Sequence, residues 1–280
     1  GESNFRRYMI ESDYLEAIIA LPENMFYNTG IATYIWVLTN RKERRRKGKV
    51  QLIDATNLKS HLRKNLGNKN CQLTEDIRQQ IMELYLNFEE NEYSKKFDNQ
   101  EFGYWKITVE RSLRRKAEVN REKIDEFEQI AKQAKDSIAW ELAQEVYQEN
   151  MKDSYDTYME FEEKVAKAAK KKGHKFPAKR KRLFAEHFAV KDENAKPEIK
   201  KKIKKGKENP LYGTFMDNGK IVEYEVDTEL RDTEQIPLGY SGGIEGFFKE
   251  EVLPYTPDAW IDDSKTQIGY EISFTKYFYK

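Results

Sequence analysis

A pair of aromatic residues, Phe26 and Tyr27, lies in a short loop between two apolar runs, where rings can contact a flat ligand. The first run, 14–21, is nearly continuous in apolar residues and ends at Pro22, and the second, 32–38, is rich in β-branched and aromatic residues. Both runs predict buried strands. Aromatic rings in a loop between core strands lose solvation unless they join the core or stack on a flat group such as a nucleobase. The sequence leaves both alternatives open.

Basic residues are concentrated in three blocks, although the net charge of the whole chain is only +1. Arg41–Lys49 has seven basic residues and one acid, Lys164–Arg182 has ten and none, and Lys196–Lys207 has seven and one. The segment Glu223–Asp263 is acidic, with twelve acids and two basic residues. Segregated charge predicts basic faces that could bind phosphate, although solvated helix faces and loops would give the same pattern.

The remaining motifs indicate no complete catalytic or metal site. A nucleophile elbow, a P-loop and a zinc-protease helix are absent, and one cysteine with three separated histidines predicts no metal centre. Gly239–Gly243 lacks the spacing of a dinucleotide fingerprint and follows no convincing strand, so a plain loop is predicted. Asn209–Tyr212 resembles the Asn-Pro-Pro-Tyr tetrapeptide of amino-methyltransferases, but its third residue is leucine, and a turn is predicted there.

Composition narrows the class of protein. Of 280 residues, 35% are charged, 38% hydrophobic and 13% aromatic, which favours one or two folded domains over global disorder. No run approaches about 18 apolar residues, so we expect no membrane-spanning helix and no membrane partner.

Four parts are predicted along the chain. They are an α/β part at 1–112, a long-helix region at 113–190, a Lys-rich linker at 191–218 and a small α+β section at 219–280. In the first part, strands are predicted at 14–21, 32–38, 49–54 and 104–109, with a helix after Thr74.

The helical part carries a narrow apolar seam with spacings of three and four residues. Its members are Ile124, Phe127, Ala131, Ala134, Ile138 and Leu142. Since no Gly or Pro interrupts residues 113–172, one or two long helices are predicted. The seam suits packing against a partner helix or against a hairpin of the same helices.

Several longer stretches, in their order along the chain, resemble the modification (methyltransferase) subunit of type I restriction-modification systems, a family of DNA adenine N6-methyltransferases. The resemblance covers about 1–112 and 177–280, and the middle matches only as helix. The matching stretches are Gly1–Glu11, Leu21–Ile31, Gly48–Ala55, Leu230–Glu234, Pro257–Asp262 and Lys265–Ile272.

The resemblance implies that the chain is the C-terminal portion of such a subunit. The implied fold class is an α/β remnant, the last strands of a doubly wound methyltransferase sheet, followed by a mostly α-helical C-terminal extension with a small α+β end. In the family, the Gly-rich loop for S-adenosyl-L-methionine and the Asn-Pro-Pro-Phe catalytic loop precede the equivalent of Gly1, and neither occurs here. The intact parent would use S-adenosylmethionine, whereas this fragment is expected to bind no cofactor, to contain no catalytic residue and to be inactive alone.

The resemblance also implies roles for site residues. Related adenine methyltransferases place a phenylalanine of the loop before the last strand against the extruded base, and Phe26 matches that position, with core packing as the alternative. The implied target-base pocket consists of Phe26, Tyr27, Asn28, Thr29 and Gly30. The implied contacts to DNA phosphate are Arg41, Lys42, Arg44, Arg45, Arg46 and Lys47.

The implied partners are DNA and the specificity and restriction subunits of the same system, in a prokaryotic cytoplasm. The helices of 113–172 and the C-terminal section are the expected contact surfaces for the specificity subunit. Under this hypothesis the strand pair 14–39 exposes an apolar edge. The alternative is a non-enzymatic nucleic-acid-binding or helical adaptor protein, which rests on the basic blocks and the seam.

Overall fold

The computed structural model describes residues 2–204 and 206–278, which form two compact units. The first unit contains the described residues up to Ile107, then Glu234–Phe248 and the described residues from Thr266. The second contains Thr108–Thr233 and Lys249–Lys265. Each unit is therefore assembled from separate segments of the chain.

Helices and strands are mixed in both units. The N-terminal elements are α1 (Glu2–Glu11), β1 (Leu15–Leu21), β2 (Thr33–Leu38), β3 (Lys49–Asp54), β4 (Ser60–Leu66), β5 (Lys69–Gln72), α2 (Glu75–Asn87), β6 (Ser94–Asp98) and β7 (Gly103–Glu110). The middle elements are β8 (Arg115–Glu118), α3 (Arg121–Gln133), α4 (Ser137–Asn150), β9 (Ser154–Tyr155), α5 (Tyr158–Lys171), α6 (Ala178–Phe188) and β10 (Ala189–Lys191). The last are β11 (Ile199–Ile203), β12 (Phe215–Asp217), β13 (Lys220–Tyr224), β14 (Asp232–Pro237), α7 (Gly243–Phe247), β15 (Trp260–Ile261), β16 (Gln267–Tyr270) and α8 (Phe274–Phe278).

Three of the predicted strands form the core of a four-stranded mixed sheet in the order β2-β1-β3-β6. β1 is antiparallel to β2 and parallel to β3, so Ile19 lies opposite Ile35 on one side and Ile53 on the other. All seven residues of β1 are buried, as its continuous apolar run predicts for a strand covered on both faces. The predictions of β1, β2 and β3 are confirmed.

Helices cover both faces of this sheet. On one face, Ile18 belongs to an apolar cluster with Ile10 of α1 and Phe274 of α8. On the other face, Ile19 belongs to a cluster with Ile81, which lies on the apolar stripe of α2. Since successive side chains of a strand point to opposite faces, β1 serves two cores, and the first unit is an α/β structure.

β2 forms an apolar edge of the sheet. Among the residues that the structure describes, it pairs only with β1. Its side chains Tyr34, Ile35, Trp36 and Leu38 are each more than one third exposed. An edge strand leaves a row of backbone N–H and C=O groups without partners. The strand pair 14–39 therefore presents an exposed apolar edge.

The helices of the second unit bury the predicted seam within the unit itself. Ile124 and Leu142 of the seam are buried. Phe127 lies 4.9 Å from Phe184 and 4.7 Å from Phe188 between ring centroids, and all three rings are buried. The seam therefore packs against helices of the same unit, and it is not a surface for a partner helix.

The prediction of one or two long helices for 113–172 is wrong. α3, α4 and α5 have 13, 14 and 14 residues. Lys135 and Met151, which follow α3 and α4, have φ values of +54° and +50°, and this left-handed conformation ends a helix. Asp136 and Thr157 then begin the next helix, because their side chains accept hydrogen bonds from first-turn N–H groups.

Two strands lie in the segment 191–218, for which a Lys-rich linker is predicted. β11 and β12 flank β13 in an antiparallel sheet. Phe215 of β12 stacks on Tyr224 at 4.8 Å and meets Trp260 edge-on at 5.5 Å. Aromatic packing thus folds part of this lysine-rich segment, and Lys205 lies outside the described residues.

Candidate nucleic-acid interface

The loop between β1 and β2 exposes the two aromatic residues that the sequence singles out. Phe26 is 46% exposed and Tyr27 is 59% exposed. Phe26 forms an antiparallel bridge with Thr29, so the loop turns tightly at Tyr27 and Asn28. Core packing, the alternative for Phe26, is not observed, and both rings are accessible to a ligand.

The hairpin of β4 and β5 holds this loop in place. The backbone N–H of Asn68 donates to the carbonyl of Tyr27 at 3.1 Å, and that of Asn70 donates to the carbonyl of Asn24 at 3.0 Å. Backbone hydrogen bonds of this kind fix a loop without using its side chains. The rings therefore stand on an anchored backbone.

A lysine of the hairpin strengthens the same contact. The ammonium of Lys69 donates to the carbonyl of Met25 at 3.0 Å and lies 5.6 Å from the centroid of the Tyr27 ring. Gly67 allows the close approach, since a Cβ there would lie 3.0 Å from the Tyr27 carbonyl. The sequence analysis missed this hairpin, although the two-residue connection Gly67-Asn68 is a recognised hairpin signal.

The other predicted pocket residues shape the same loop. A Cβ on Gly30 would lie 3.0 Å from Asn24 Oδ1, so glycine permits the close packing there. The Thr29 hydroxyl accepts from the N–H of Ile31 at 3.4 Å, and Asn28 is exposed. The structure therefore brings residues 26–30 together, while their role in binding a base stays a prediction.

Lys42 is buried in an ion pair and does not lie on a phosphate-binding surface, contrary to the sequence expectation. Its ammonium donates to Asp13 Oδ1 at 2.5 Å and to the carbonyl of Lys49 at 2.8 Å. Asp13 also accepts from the N–H of Gly48 at 3.0 Å and from the Asn99 amide at 2.9 Å. These hydrogen bonds hold the segment between Lys42 and Gly48, which leads into β3, against Asp13.

Arg46 is also buried, and its guanidinium is enclosed by protein groups. It lies 4.4 Å from the Tyr85 ring centroid and 4.3 Å from that of Phe88. It pairs with Glu16 at 3.3 Å and donates to Gln51 Oε1 at 3.0 Å. A phosphate contact for Arg46 is therefore excluded unless the core opens.

Arg45 and Arg46 donate hydrogen bonds to the C-terminal end of α2. The last four carbonyls of a helix have no partner within it. Gln51 donates to the carbonyl of Leu84 at 2.8 Å, and Arg46 donates to that of Tyr85. Arg45 covers the remaining two, donating to Leu86 at 2.8 Å and Asn87 at 3.3 Å. Positive charge at a helix C-terminus also complements the helix dipole.

Three members of the predicted phosphate cluster remain free on the surface. Arg41, Arg44 and Lys47 are exposed, and no ion pair to their side chains occurs among residues 2–204 and 206–278. Arg45 is exposed but is occupied by Glu43 and the end of α2. The cluster therefore has a structural part, Lys42, Arg45 and Arg46, which binds groups of the protein itself. The other three residues form a free part that is available to a ligand.

Asp13→Asn is expected to lower the free energy of unfolding at pH 7 by about 2–3 kcal/mol, somewhat below the cost of breaking a fully buried pair. Burial raises the pKa of Asp13, but hydrogen bonds from Lys42, Gly48 and Asn99 lower the pKa more, to below its usual value. The stabilisation is therefore present above the unfolded-state pKa of about 3.9 and is lost as pH falls through the folded pKa.

Urea unfolding between pH 7 and pH 2.5 checks this expectation, with the pH values chosen around the carboxyl pKa of about 3.9. The variant should be less stable than the wild type at pH 7 and should lose less stability on acidification. Glu126→Gln serves as control and should behave like the wild type, since Glu126 is exposed and has no ion pair among the described residues. Parallel pH profiles for Asp13→Asn and the wild type would contradict the assignment.

Gly239–Gly243 and Asn209–Tyr212 are short local segments in the structure. Gly239–Gly243 follows β14 after one residue, which corrects the expectation that no strand precedes it. A Cβ on Gly242 would lie 3.1 Å from Gly246 Cα, so the loop packs on its own five-residue helix α7. Asn209–Tyr212 is a single helical turn closed by a bridge from Asn209 to Thr214, as predicted.

The described part of the chain contains no helix long and apolar enough to cross a membrane. Within the same residues, no group of three or more His, Cys, Asp or Glu could hold a metal ion.

A mixed sheet between helices, with an anchored aromatic loop beside its edge strand, defines the first unit as an α/β domain. Residues 1–103 match the family model of N-6 DNA Methylase. The resemblance to type I methylase subunits is confirmed.

Curated relatives carry the same description. The methylase subunit of type I restriction enzyme MjaVII from Methanocaldococcus jannaschii is 30% identical over 144 residues, covering 49% of this chain and 25% of the relative. The MpnII methylase subunit from Mycoplasma pneumoniae is 37% identical over 73 residues, covering 25% and 13%. The matches therefore span a quarter or less of the length of these relatives.

A solved structure also shows similarity. It is the methyltransferase subunit of a type I restriction-modification system from Streptococcus thermophilus, at 24% identity and a TM-score of 0.32. The match covers 36% of this chain and 20% of that one.

Proposed function

We propose that the chain is the C-terminal portion of the modification subunit of a type I restriction-modification system, which transfers a methyl group from S-adenosylmethionine to adenine N6 in DNA. The family match over residues 1–103 and the names of the relatives support this proposal. In it, residues 1–112 form the end of the catalytic domain, and the helical and C-terminal parts form its extension.

The single observation that carries the chemistry is the exposed aromatic pair on the anchored loop. An adenine in duplex DNA must leave the base stack before its N6 can be methylated, and an aromatic ring stabilises the extruded base. Phe26 would stack on that base, with Tyr27 beside it. Asn28, Thr29 and Gly30 would give the loop its shape.

The proposed phosphate contacts are limited to the exposed residues of the Arg41–Lys47 cluster that have no ion pair. Arg41, Arg44 and Lys47 are exposed and without ion pairs among the described residues, so they can neutralise DNA phosphates. Lys42 and Arg46 are removed from this role, because both have protein partners in buried positions. These contacts would position the DNA without reading its sequence.

The edge strand supports the proposal that β1 and β2 end a larger sheet. Side chains of β2 are apolar and exposed on both faces, and its outer backbone edge has no partner among the described residues. A preceding strand of a methyltransferase sheet would satisfy this edge. The chain alone would then tend to aggregate.

The partners belong to the same proposal. DNA would bind at the aromatic loop, and the specificity and restriction subunits would assemble with the intact subunit. The specificity subunit would contact outer surfaces of the helical part or the C-terminal section, since the inner seam is already buried.

Calorimetric titration with S-adenosylmethionine tests the proposal. The 280-residue chain is expected to show no binding, because the family's glycine-rich cofactor loop and Asn-Pro-Pro-Phe loop do not occur among its residues. A complete methylase subunit carrying these residues is the positive control and should bind the cofactor saturably. Binding by the chain alone would overturn the proposal, and binding by neither would favour the non-enzymatic alternative.

A further inference from the structure

The β4–β5 hairpin carries a concentration of positive charge that the structure does not neutralise. Between Asp54 and Glu75 there is no acidic residue, and the basic residues are Lys59, Arg63, Lys64 and Lys69. Arg63 and Lys64 are exposed, and neither forms an ion pair within residues 2–204 and 206–278. Neighbouring like charges repel one another unless a counter-charge is bound.

The hairpin is physically joined to the aromatic loop. Its backbone donates to the carbonyls of Asn24 and Tyr27. Lys69 places a cation 5.6 Å from the Tyr27 ring. A ligand that reaches the rings of this loop with a flat group is therefore close to a basic hairpin that could hold a linked anion. Nucleotides combine these two groups, a flat base and a phosphate.

We propose that the hairpin Ser60–Gln72 binds the phosphodiester backbone of duplex DNA next to the base that stacks on Phe26, with Arg63 and Lys64 as the contacting residues. The inference rests on the proposed function and extends its DNA-binding surface beyond the Arg41–Lys47 cluster. Lys69 has a different part, since its ammonium already holds the loop through the carbonyl of Met25.

Salt-dependent DNA binding tests the hairpin. Fluorescence anisotropy measures binding of the 280-residue chain to a labelled duplex of about 20 base pairs between about 50 and 200 mM salt. The double variant Arg63→Gln/Lys64→Gln should reduce the slope of log K against log salt by about 1.8 and weaken binding at least about tenfold at the lower salt concentration. The charge-preserving variant Arg63→Lys/Lys64→Arg should bind like the wild type.

A matched control removes the same charge elsewhere. Lys106 of β7 and Lys220 of β13 lie outside the three basic blocks, are exposed and have no ion pair among the described residues, so Lys106→Gln/Lys220→Gln should leave the slope unchanged. Thermal melting followed by circular dichroism establishes that each variant is folded. An equal loss in the control variant would overturn the inference, since binding would then follow total charge.

Other outcomes separate this inference from the proposed function. No binding of duplex DNA by the wild-type chain, or binding of RNA alone, would overturn the hairpin assignment. If the hairpin variant binds normally while the complete subunit methylates DNA, the inference fails and the proposed function stands. If the slope changes as expected but the complete subunit neither binds S-adenosylmethionine nor methylates DNA, the hairpin assignment stands and the proposed function fails.

Discussion

Arg46→Ala is expected to lower the free energy of unfolding by about 3–5 kcal/mol, the usual cost of removing one partner from a buried ion pair. The substitution leaves the carboxylate of Glu16 without its cation and the amide oxygen of Gln51 without its donor. It also uncovers the Tyr85 carbonyl at the end of α2 and empties the space between the Tyr85 and Phe88 rings. Glu16, Gln51 and Phe88 are buried, so water cannot easily replace the partners that they lose.

Chemical denaturation followed by circular dichroism measures this effect, and Arg44→Ala is the matched control. Arg44 is two positions away, equally basic and exposed, so its removal should leave stability almost unchanged. The two variants should differ in the opposite sense in DNA binding, where only Arg44→Ala is expected to reduce affinity. A stable Arg46→Ala variant with weakened DNA binding would restore the phosphate role that its sequence position suggests.

The case of Arg46 shows where sequence reasoning reaches its limit. Along the chain, Arg41–Lys47 is basic at every position except Glu43, and nothing local distinguishes Arg44 from Arg46. The difference comes from Glu16 and Tyr85, which lie 30 and 39 positions away in sequence. Burial of a charge depends on such distant partners. The charge pattern alone therefore predicts a phosphate-binding surface, whereas in the structure Arg46 is buried and caps the end of α2.

Features encoded in adjacent residues were predictable. The continuous apolar run of β1 gave a strand buried on both faces, and the stripe of α2 placed Ile81 in the core. In both cases the periodicity of side chains along one element determines the outcome. The aromatic loop follows in the same way, because its two flanking strands were correctly located.

Other features were encoded locally but overlooked. Asp136 and Thr157 are good helix-capping residues, and they restart helices in a segment without Gly or Pro. The dipeptide Gly67-Asn68 is a hairpin signal within a polar, basic stretch. The prediction of long helices used only the periodicity of apolar residues. In the structure, the capping and turn residues determine where each helix ends and the next one begins.

Phe26→Ala is expected to reduce kcat/KM for adenine methylation by about 10- to 100-fold in the complete methylase assembly, since stacking on an aromatic ring is worth about 1–3 kcal/mol per base. The half-exposed ring lies outside the buried clusters of the first unit, so the folded structure should survive its removal. Phe26→Trp keeps a stacking surface and should retain most of the activity. Tyr27→Ala should have a smaller effect, because Tyr27 stands beside the stacking position.

Transfer of labelled methyl groups from S-adenosylmethionine to unmodified DNA measures this effect, and an exposed ring far along the chain provides the control. Tyr255 is the most exposed of the large hydrophobic residues in the described chain, at 83%, and Tyr255→Ala should leave methylation unchanged. Unchanged methylation by Phe26→Ala, or an equal loss in Tyr255→Ala, would contradict the stacking role of Phe26.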